Sequence, residues 1–435
     1  MLGAMASAAG TASVHQVEET LVATLIQLIV IILAARLAGA AAAAMRQPRA
    51  VGEIVAGLLL GPSFLATLFP DAAHAIFSPA STPSVQVLSQ IGLVLLMFQI
   101  GSDFEFGHLR TARNKKAVLY VSIASVGAPL AIGFALGQWT APILAPGIDP
   151  LVYSLFTAVA LAITAVPILG RILREYSLTR TDIGVIAISS AAANDVVGWL
   201  LLAGISAYAS AHFSLAQSGW QIGGLIGLCA FLWFIGRPAI DWLIGRFPVA
   251  DGKVPTHLMA IVIALIFVSG IATQKLGIFT IFGGFLLGLL FHRHTTFVEA
   301  WRGQVGQFVL IFFLPIFFTY TGLRTNVLGL DTAGEWMWCA IIFAAAVIGK
   351  VVPVYLAARF AGLHPGQATI LGALMNTRAL MELIVLNIGF SLGFIPQDVF
   401  TMLVIMAVGT TIMTGPLLQV LLRRAGFEAR ALVEA

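Results

Sequence analysis

Two carboxylates lie where acidic side chains are rare, near the middle of long apolar segments. Of the nineteen acidic residues in the chain, only Asp195 and Glu382 occupy such positions. A charge buried in a membrane is costly unless it is paired or hydrated, so the default interpretation is functional. A titratable carboxylate that reaches water can be neutralised either by a proton or by a small cation. Competition between these two ligands at one acid would couple their movements.

Five polar or charged positions from four apolar segments are predicted to meet at one depth. Asp195 lies about fourteen residues into its segment, or roughly 21 Å at 1.5 Å per residue. Lys350 is at a similar depth in a segment that runs the other way, and Thr164, Asn376 and Arg378 fall at comparable depth. We expect Asp195 to bind the cation and the proton. Lysine readily changes its charge state when buried, so Lys350 is either a charge partner or a second proton carrier.

Several of these positions also have a purely structural interpretation. Lys350 would then only neutralise Asp195. Arg378 and Glu382 are spaced i,i+4 on one predicted helix and can pair with each other, which favours a supporting role for both. Asn194, next to Asp195, either completes the binding site or satisfies a hydrogen bond, and both interpretations stay open.

The composition places these residues in a membrane protein. Of the 435 residues, 59% are hydrophobic and 10% are charged, whereas soluble domains average about 25% charged residues. The net charge of +4 is small and its basic residues are spread over many loops, which argues against nucleic-acid binding. Cys229 and Cys339 lie in apolar runs, so neither a disulfide framework nor a zinc-type cluster is expected. HExxH and similar catalytic motifs are absent, and we expect neither an enzyme nor a cofactor.

Thirteen apolar runs approach the length of about 20 residues that a membrane helix needs. We therefore predict an all-α polytopic protein. The second and ninth runs are short, so each is a tilted span or half of a tight pair, and a total of twelve stays open. The predicted spans lie at 17–46, 49–66, 84–106, 115–139, 151–172, 181–209, 219–245, 255–275, 278–294, 303–326, 335–361, 366–391 and 396–424.

The distribution of basic residues predicts the orientation. Eighteen of the 23 Lys and Arg residues fall in alternate loops, while the opposite loops hold only Lys275 and Arg324. Cytoplasmic loops are enriched in Lys and Arg, which places the N-terminus outside and the C-terminus in the cytoplasm. We expect residues 1–16 to be a flexible outer tail and residues 425–435 a cytoplasmic tail. The chain lacks a basic, cleavable leader pattern and is predicted to reside in the cell membrane, with a bacterial inner membrane favoured.

Two pairs of matching motifs indicate an internal repeat of inverted topology. The sequence AGLLLG at 56–61 corresponds to GGFLLG at 283–288, and MFQIGSD at 97–103 corresponds to FTYTGLR at 318–324. The offset of seven spans is odd, so the second copy enters the membrane from the opposite side, as in many secondary transporters. The alternative is that these small-residue patterns only pack helices together.

The repeat predicts that the fifth and twelfth spans are equivalent and that both are broken. The fifth carries Thr164 and Pro167 at its middle, where proline frees carbonyl groups. The twelfth carries Asn376, Thr377 and Arg378 inside an apolar run. Non-helical backbone at membrane depth occurs only where it lines a cavity or is buried in protein. We therefore expect the two breaks to complete the ion site.

Four segments together resemble the cation:proton antiporter-2 family, most closely its plant-type cation/proton exchangers. They are GEIVAGLLLGPS at 52–63, ALAITAVPILGRIL at 160–173, AANDV at 192–196 and LMNTRALMELIVLNIG at 374–389. The resemblance implies a sodium/proton-antiporter-like fold across 17–424 and a homodimer. Core helices at about 115–209 and 335–424 would move against a dimerisation scaffold.

The resemblance also implies an activity and roles for individual residues. Asp195 would exchange a monovalent cation, K⁺ or Na⁺, for a proton by alternating access, and Lys350 matches a basic residue of the family. Asn194 occupies the place of a second acid found in some relatives, which predicts electroneutral exchange. The nucleotide-binding domain of related potassium-efflux proteins is absent, so gating by such ligands is not expected. The choice between K⁺ and Na⁺ stays open, and a regulated, channel-like potassium efflux pathway is the alternative function.

Overall fold

The computed structural model describes nearly all of the predicted transmembrane region. The described residues are 2–45, 47–77, 82–103, 112–176, 178, 181–210, 223–224, 226–276 and 279–424. The predicted cytoplasmic tail at 425–435 lies outside them. Within the described residues every regular element is a helix, apart from one isolated bridge between Ala250 and Lys253. The all-α fold class is confirmed.

Eighteen helices, numbered here in chain order, make up the described residues. They are α1 Leu2–Ala44, α2 Arg49–Leu59, α3 Leu65–Leu68, α4 Pro70–Ile76, α5 Thr82–Ser102, α6 Ala112–Leu144, α7 Pro150–Ala162, α8 Val166–Glu175, α9 Asp182–Ser210, α10 Ile226–Arg246, α11 Thr256–Lys275, α12 Thr280–Phe291, α13 Thr295–Trp301, α14 Leu314–Leu323, α15 Ala333–Phe360, α16 Pro365–Met375, α17 Leu380–Ser391 and α18 Gln397–Arg424. π-helical turns lie at Leu232–Gly236 within α10 and at Arg302–Gly306 and Val309–Phe313 between α13 and α14.

Each of the thirteen predicted spans contains at least one of these helices. Among the described residues, ten helical segments are long and apolar enough to cross a membrane. The second and ninth predicted spans are short in the structure as well. At 1.5 Å per residue, the 11 residues of α2 and the 12 of α12 reach about 17 Å, roughly half of a bilayer core. The fold is therefore polytopic with ten to thirteen spans, depending on how the short helices are counted.

The start of the chain differs from the prediction. Residues 2–16, which we expected to be a flexible tail, continue α1. The stretch is rich in alanine, the residue with the highest intrinsic helix propensity. Since no proline precedes Val17, the first span can extend toward the N-terminus.

Both predicted helix breaks are present, and they cross each other. Residues 163–165 separate α7 from α8, and residues 376–379 separate α16 from α17. At the crossing, the Ala165 N–H donates a hydrogen bond to the Thr377 carbonyl at 3.0 Å. Backbone groups released by one break thus satisfy those of the other, as burial requires.

The two short helices pack in a reciprocal pattern that fits the inverted repeat. A Cβ atom on Gly57 of α2 would lie 2.4 Å from the Phe318 carbonyl oxygen of α14. A Cβ atom on Gly284 of α12 would likewise lie 2.4 Å from the Val94 carbonyl oxygen of α5. The short glycine helix of each repeat therefore packs directly against a helix of the other repeat. These contacts bring the backbones closer than any side chain permits.

Burial separates an interior from a lipid-facing periphery. In the most apolar window of residues 365–391, which holds the second break, 94% of positions are buried. The corresponding figure for α10 is 11%. The crossing breaks therefore lie deep within the protein, while α10 lies at its edge.

Candidate functional site

The carboxylate of Asp195 is buried and has no hydrogen-bond partner. The residue lies on α9 with 2% exposure, and among the described residues neither of its oxygens accepts a hydrogen bond. Its side chain borders a small cavity lined by Ile163, Trp199, Met381 and Val385. A buried polar group without a partner is costly, and a buried charge is more so. The environment thus favours any ligand that neutralises this acid.

Asn194 has both of its amide atoms engaged in hydrogen bonds. Its Nδ2 donates to Ser125 Oγ at 2.9 Å and to Thr164 Oγ1 at 3.3 Å, and Ser125 Oγ lies 3.1 Å from Asn194 Oδ1. Thr164 Oγ1 in turn donates to the Met375 carbonyl at 3.3 Å. The network ties α6 and α9 to both helix breaks. Of the two interpretations left open above, the geometry favours the hydrogen-bonding one for Asn194.

Lys350 points at the end of a broken helix. The side chain is fully buried on α15, and its Nζ donates to the carbonyl oxygens of Ser125, at 2.8 Å, and of Ala162. Ala162 is the last residue of α7. Carbonyls at a helix C-terminus lack intrahelical partners and carry partial negative charge, which a cation stabilises. Lys350 also interacts electrostatically with Asp195.

Arg378 binds two further carbonyls of the same helix end. Its guanidinium donates to the carbonyl oxygens of Ala160 at 3.1 Å and Leu161 at 2.7 Å, and to that of Ala346 at 3.3 Å. Its Nη1 lies 3.5 Å from a carboxylate oxygen of Glu382, and both side chains are fully buried. The pairing expected from their i,i+4 spacing is confirmed. The cationic side chains of Lys350, on α15, and of Arg378, in the second break, therefore cap the C-terminus of α7.

The opposite sign of charge lies at the second break. Glu382 is the third residue of α17, in the first helical turn, where the helix dipole favours an acid. The C-terminal end of one half-helix is thus covered by Lys350 and Arg378, and the N-terminal end of the other is balanced by Glu382. The charges thus oppose the partial charges of the two broken helix ends.

The second break holds unsatisfied side chains and a strained backbone position. Neither amide atom of Asn376 nor the hydroxyl of Thr377 has a hydrogen-bond partner within the part of the chain that the structure describes, although both residues are buried. Ala379 has φ 76° and ψ −106°, a conformation that side chains disfavour by about 1–3 kcal/mol. Broken-helix oxygens of this kind coordinate cations in transporters.

Arg324 forms a second polar cluster, which the sequence reasoning missed. Arg324 directly follows the last residue of α14. Its Nη1 donates to Asn387 Oδ1 at 3.3 Å and to Ser391 Oγ at 2.9 Å, both on α17. The guanidinium also lies 4.6 Å from the ring centre of Phe390. The available signal was an arginine on the side of the membrane that is otherwise almost free of basic residues. This cluster joins the predicted scaffold to the predicted core.

The sequence matches a known transporter family along most of its length. Residues 28–424 match the family described as sodium/hydrogen exchanger, transmembrane. The chain is 35% identical to the Na(+)/H(+) antiporter NhaS4 of Synechocystis sp., over 92% of this chain and 97% of that protein. It is 34% identical to cation/H(+) antiporter 17 of Arabidopsis thaliana, over 93% of this chain but 49% of that protein.

Two further comparisons extend this picture. The chain is 28% identical to K(+)/H(+) antiporter 1 of Saccharomyces cerevisiae, over 86% of this chain and 42% of that protein. It therefore spans about half the length of the plant and yeast relatives. The fold matches that of the sodium proton antiporter MjNhaP1 from Methanocaldococcus jannaschii with a TM-score of 0.64 and 14% identity, covering 95% of this chain and all of that one. This match confirms the architecture expected from the broken helices.

Proposed function

The chain belongs to the sodium/hydrogen exchanger family, and we propose that the cation and the proton that it exchanges compete for a single carboxylate, Asp195. Membership makes it a monovalent cation/proton antiporter and not an enzyme. The competition is a proposal that rests on one observation: both Asp195 oxygens are buried and unpartnered. Such an acid needs a neutralising ligand, and a proton or a cation serves equally well.

The neighbouring residues would hold the site in shape for the cation. Asn194 and Thr164 are joined by a hydrogen bond next to Asp195, which fixes α9 against the first break. We assign them to positioning the carboxylate, and we assign the unpartnered oxygens of Asn376 and Thr377 to the route by which the cation loses its water. Binding of the cation would displace the proton, and each loaded state would be electrically neutral at Asp195.

Lys350, Arg378 and Glu382 would keep the broken helices stable through the cycle. The charged side chains of Lys350 and Arg378 donate hydrogen bonds to backbone carbonyls, so their charges already have partners when Asp195 has no ligand. We therefore assign Lys350 a structural charge and no proton of its own. One exchangeable carboxylate gives one proton for one cation, which is electroneutral exchange.

Alternating access would require the core, at about 115–209 and 335–424, to move against the remaining helices. The Arg324 contacts with Asn387 and Ser391 cross this boundary, so they would have to break and reform in each cycle. The Lys and Arg distribution supports a cytoplasmic C-terminus in a cell membrane. A homodimer held by the scaffold would give the core a fixed body to move against.

The proposal is tested by substituting Asp195 and a matched acid on the same helix. Asp182 begins α9, is half exposed and pairs with Arg113 at 3.0 Å, outside the buried site. In proteoliposomes with a trapped pH dye, Asp195→Asn should abolish proton flux driven by Na⁺, K⁺ or Li⁺, whereas Asp182→Asn should retain it. The three cations, titrated separately, would also identify the substrate.

Two outcomes would contradict the proposal. Strong cation-driven proton flux in a folded Asp195→Asn protein would remove Asp195 from the exchange. Cation flux that proceeds without any counter-movement of protons in the unsubstituted protein would indicate a channel-like efflux pathway instead.

A further inference from the structure

A groove at the lipid-facing edge of the protein lies outside the ion site. It runs between α10 and α12 and encloses about 540 Å³, within the size range of ligand pockets. Most of its wall is apolar. The groove is lined by Cys229, Leu232, Trp233, Arg237, Leu286, Leu289, Leu290, His292 and Arg293.

The arginines of the groove and its histidine lie at one end. Arg293 and His292 directly follow the last residue of α12, and the leucines that line the groove precede them on that helix. On α10, Arg237 likewise follows Cys229 and Trp233 along the chain. Both helices therefore lead from an apolar region toward the same charged end, which gives the groove an apolar length and a cationic head.

The groove opens at the exposed apolar surface of the transmembrane region and not toward the protein interior. Only 11% of the apolar window of α10 is buried, and Trp233 is 55% exposed. The Arg237 guanidinium lies 4.9 Å from the ring centre of Trp233. Tryptophan and arginine together are typical of the boundary between acyl chains and headgroups. The π-helical turn Leu232–Gly236 also interrupts α10 at this point, and such turns recur at functional sites.

We propose that this groove binds one anionic phospholipid. Its phosphate would be held by Arg237 and Arg293, and an acyl chain would lie against Leu286 and Leu290. Arginine binds phosphate oxygens in a bidentate manner, and basic pockets between membrane helices take anionic headgroups. The Lys and Arg distribution assigns the charged end to the cytoplasmic leaflet, where anionic lipids are enriched.

An anionic lipid is favoured over other occupants by the combination of charge and position. A soluble anion would use the arginines but leave the apolar length empty. A zwitterionic lipid would fill the groove but place its own cation beside two arginines. A lipid bound to both α10 and α12 would also hold α10, the helix that follows the core helix α9, against the scaffold helix α12.

The test measures lipid binding by the whole purified protein and does not depend on transport. Melting temperature is followed in detergent during titration with phosphatidylglycerol, phosphatidylcholine or inorganic phosphate. We expect phosphatidylglycerol to stabilise the protein most, and inorganic phosphate to have no effect. In Arg237→Gln/Arg293→Gln the apparent affinity for phosphatidylglycerol should fall about thirtyfold, or about 2 kcal/mol at 1.4 kcal/mol per tenfold. Arg246→Gln, an exposed arginine of the same helix outside the groove, should change it less than twofold.

A second variant separates the acyl chain from the headgroup. Cys229→Trp fills the apolar part of the groove without changing the charge. It should reduce the apparent affinity for phosphatidylglycerol by at least about tenfold, or about 1.4 kcal/mol. Three results would overturn the proposal. The first is an unchanged rise in melting temperature with phosphatidylglycerol in the double arginine variant. The second is an equal rise with inorganic phosphate. The third is loss of the dimer in the double arginine variant with unchanged lipid preference, which would assign the groove to a second copy of the chain.

Discussion

Replacement of Lys350 by methionine tests whether its amino group caps a helix or carries a proton. The two side chains have similar length, and Lys350 is fully buried. Methionine therefore preserves the packing while removing the charge and both hydrogen bonds. If the amino group is a cap for α7, the variant should unfold more easily and the pH dependence of residual exchange should stay unchanged.

The size of the effect follows from the two carbonyls that lose their donor. The Ser125 and Ala162 carbonyl oxygens would be left inside the protein without this partner. Each buried unsatisfied group costs about 1–3 kcal/mol. Hydrogen bonds between membrane helices measure up to about 1.7 kcal/mol. Two of them therefore predict a loss of about 2–3 kcal/mol in the free energy of unfolding.

The assay is unfolding in mixed micelles of increasing SDS content, followed by tryptophan fluorescence. Lys275→Met is the matched control, because Lys275 is exposed at the end of α11, and it should change stability by less than about 0.5 kcal/mol. Lys350→Gln keeps a neutral donor and should recover part of the loss. A Lys350→Met protein as stable as the unsubstituted one would refute the capping role. A shifted pH profile of exchange in the folded variant would make Lys350 a proton carrier.

Three further predictions concern stoichiometry, helix packing and backbone strain. The ratio of cation and proton gradients at which exchange stops should not depend on the clamped membrane potential in vesicles, because one-for-one exchange moves no net charge. One uncompensated charge per cycle would instead add about 2.3 kcal/mol per 100 mV, so a potential-dependent ratio would contradict exchange at a single carboxylate. Gly57→Ala should strongly reduce the yield of folded protein, since its Cβ would lie 2.4 Å from the Phe318 carbonyl oxygen, whereas Gly127→Ala meets nothing within 4 Å and should be neutral. Ala379→Gly should raise the free energy of unfolding by about 1 kcal/mol because glycine tolerates φ 76°, while Ala361→Gly, at φ −76°, should lower it. A destabilised Ala379→Gly protein, or an equally low yield of the Gly127 variant, would show that these backbone constraints are misjudged.

The spans and breaks could be predicted because they depend on local properties. Hydropathy over about 20 residues locates a membrane helix. The Pro167 and Asn376 regions interrupt apolar runs, and these interruptions are visible in the local sequence without any knowledge of tertiary contacts. The flexible tail at residues 2–16 was not predicted correctly by the same logic. The stretch lies outside the first apolar run, yet its alanine-rich sequence extends the helix that this run forms.

The pairing of Arg378 with Glu382 was predicted by their spacing, but the reason differs from the expected one. An i,i+4 pair assumes a continuous helix, and Arg378 instead lies in the break before α17. The two side chains still meet at 3.5 Å because Arg378 turns toward the end of α7 while Glu382 occupies the first turn of the next half-helix. The sequence therefore predicted the contact correctly, whereas the backbone carbonyls that surround it could be identified only from the fold.

The sequence alone determined the class of protein and the approximate number of apolar segments, and it predicted that Asp195 lies deep within one of them. These features are carried by side-chain type and by spacing along one helix. Only the tertiary structure decided what Lys350 and Arg378 do, because their partners are backbone carbonyls, which look the same at every position of a sequence. Arg378 and the Ala160 carbonyl are 218 residues apart, and Lys350 and the Ala162 carbonyl are 188 apart. Contacts of that kind exist only once two broken helices cross, since the crossing itself brings the cations to the carbonyls that the break has freed.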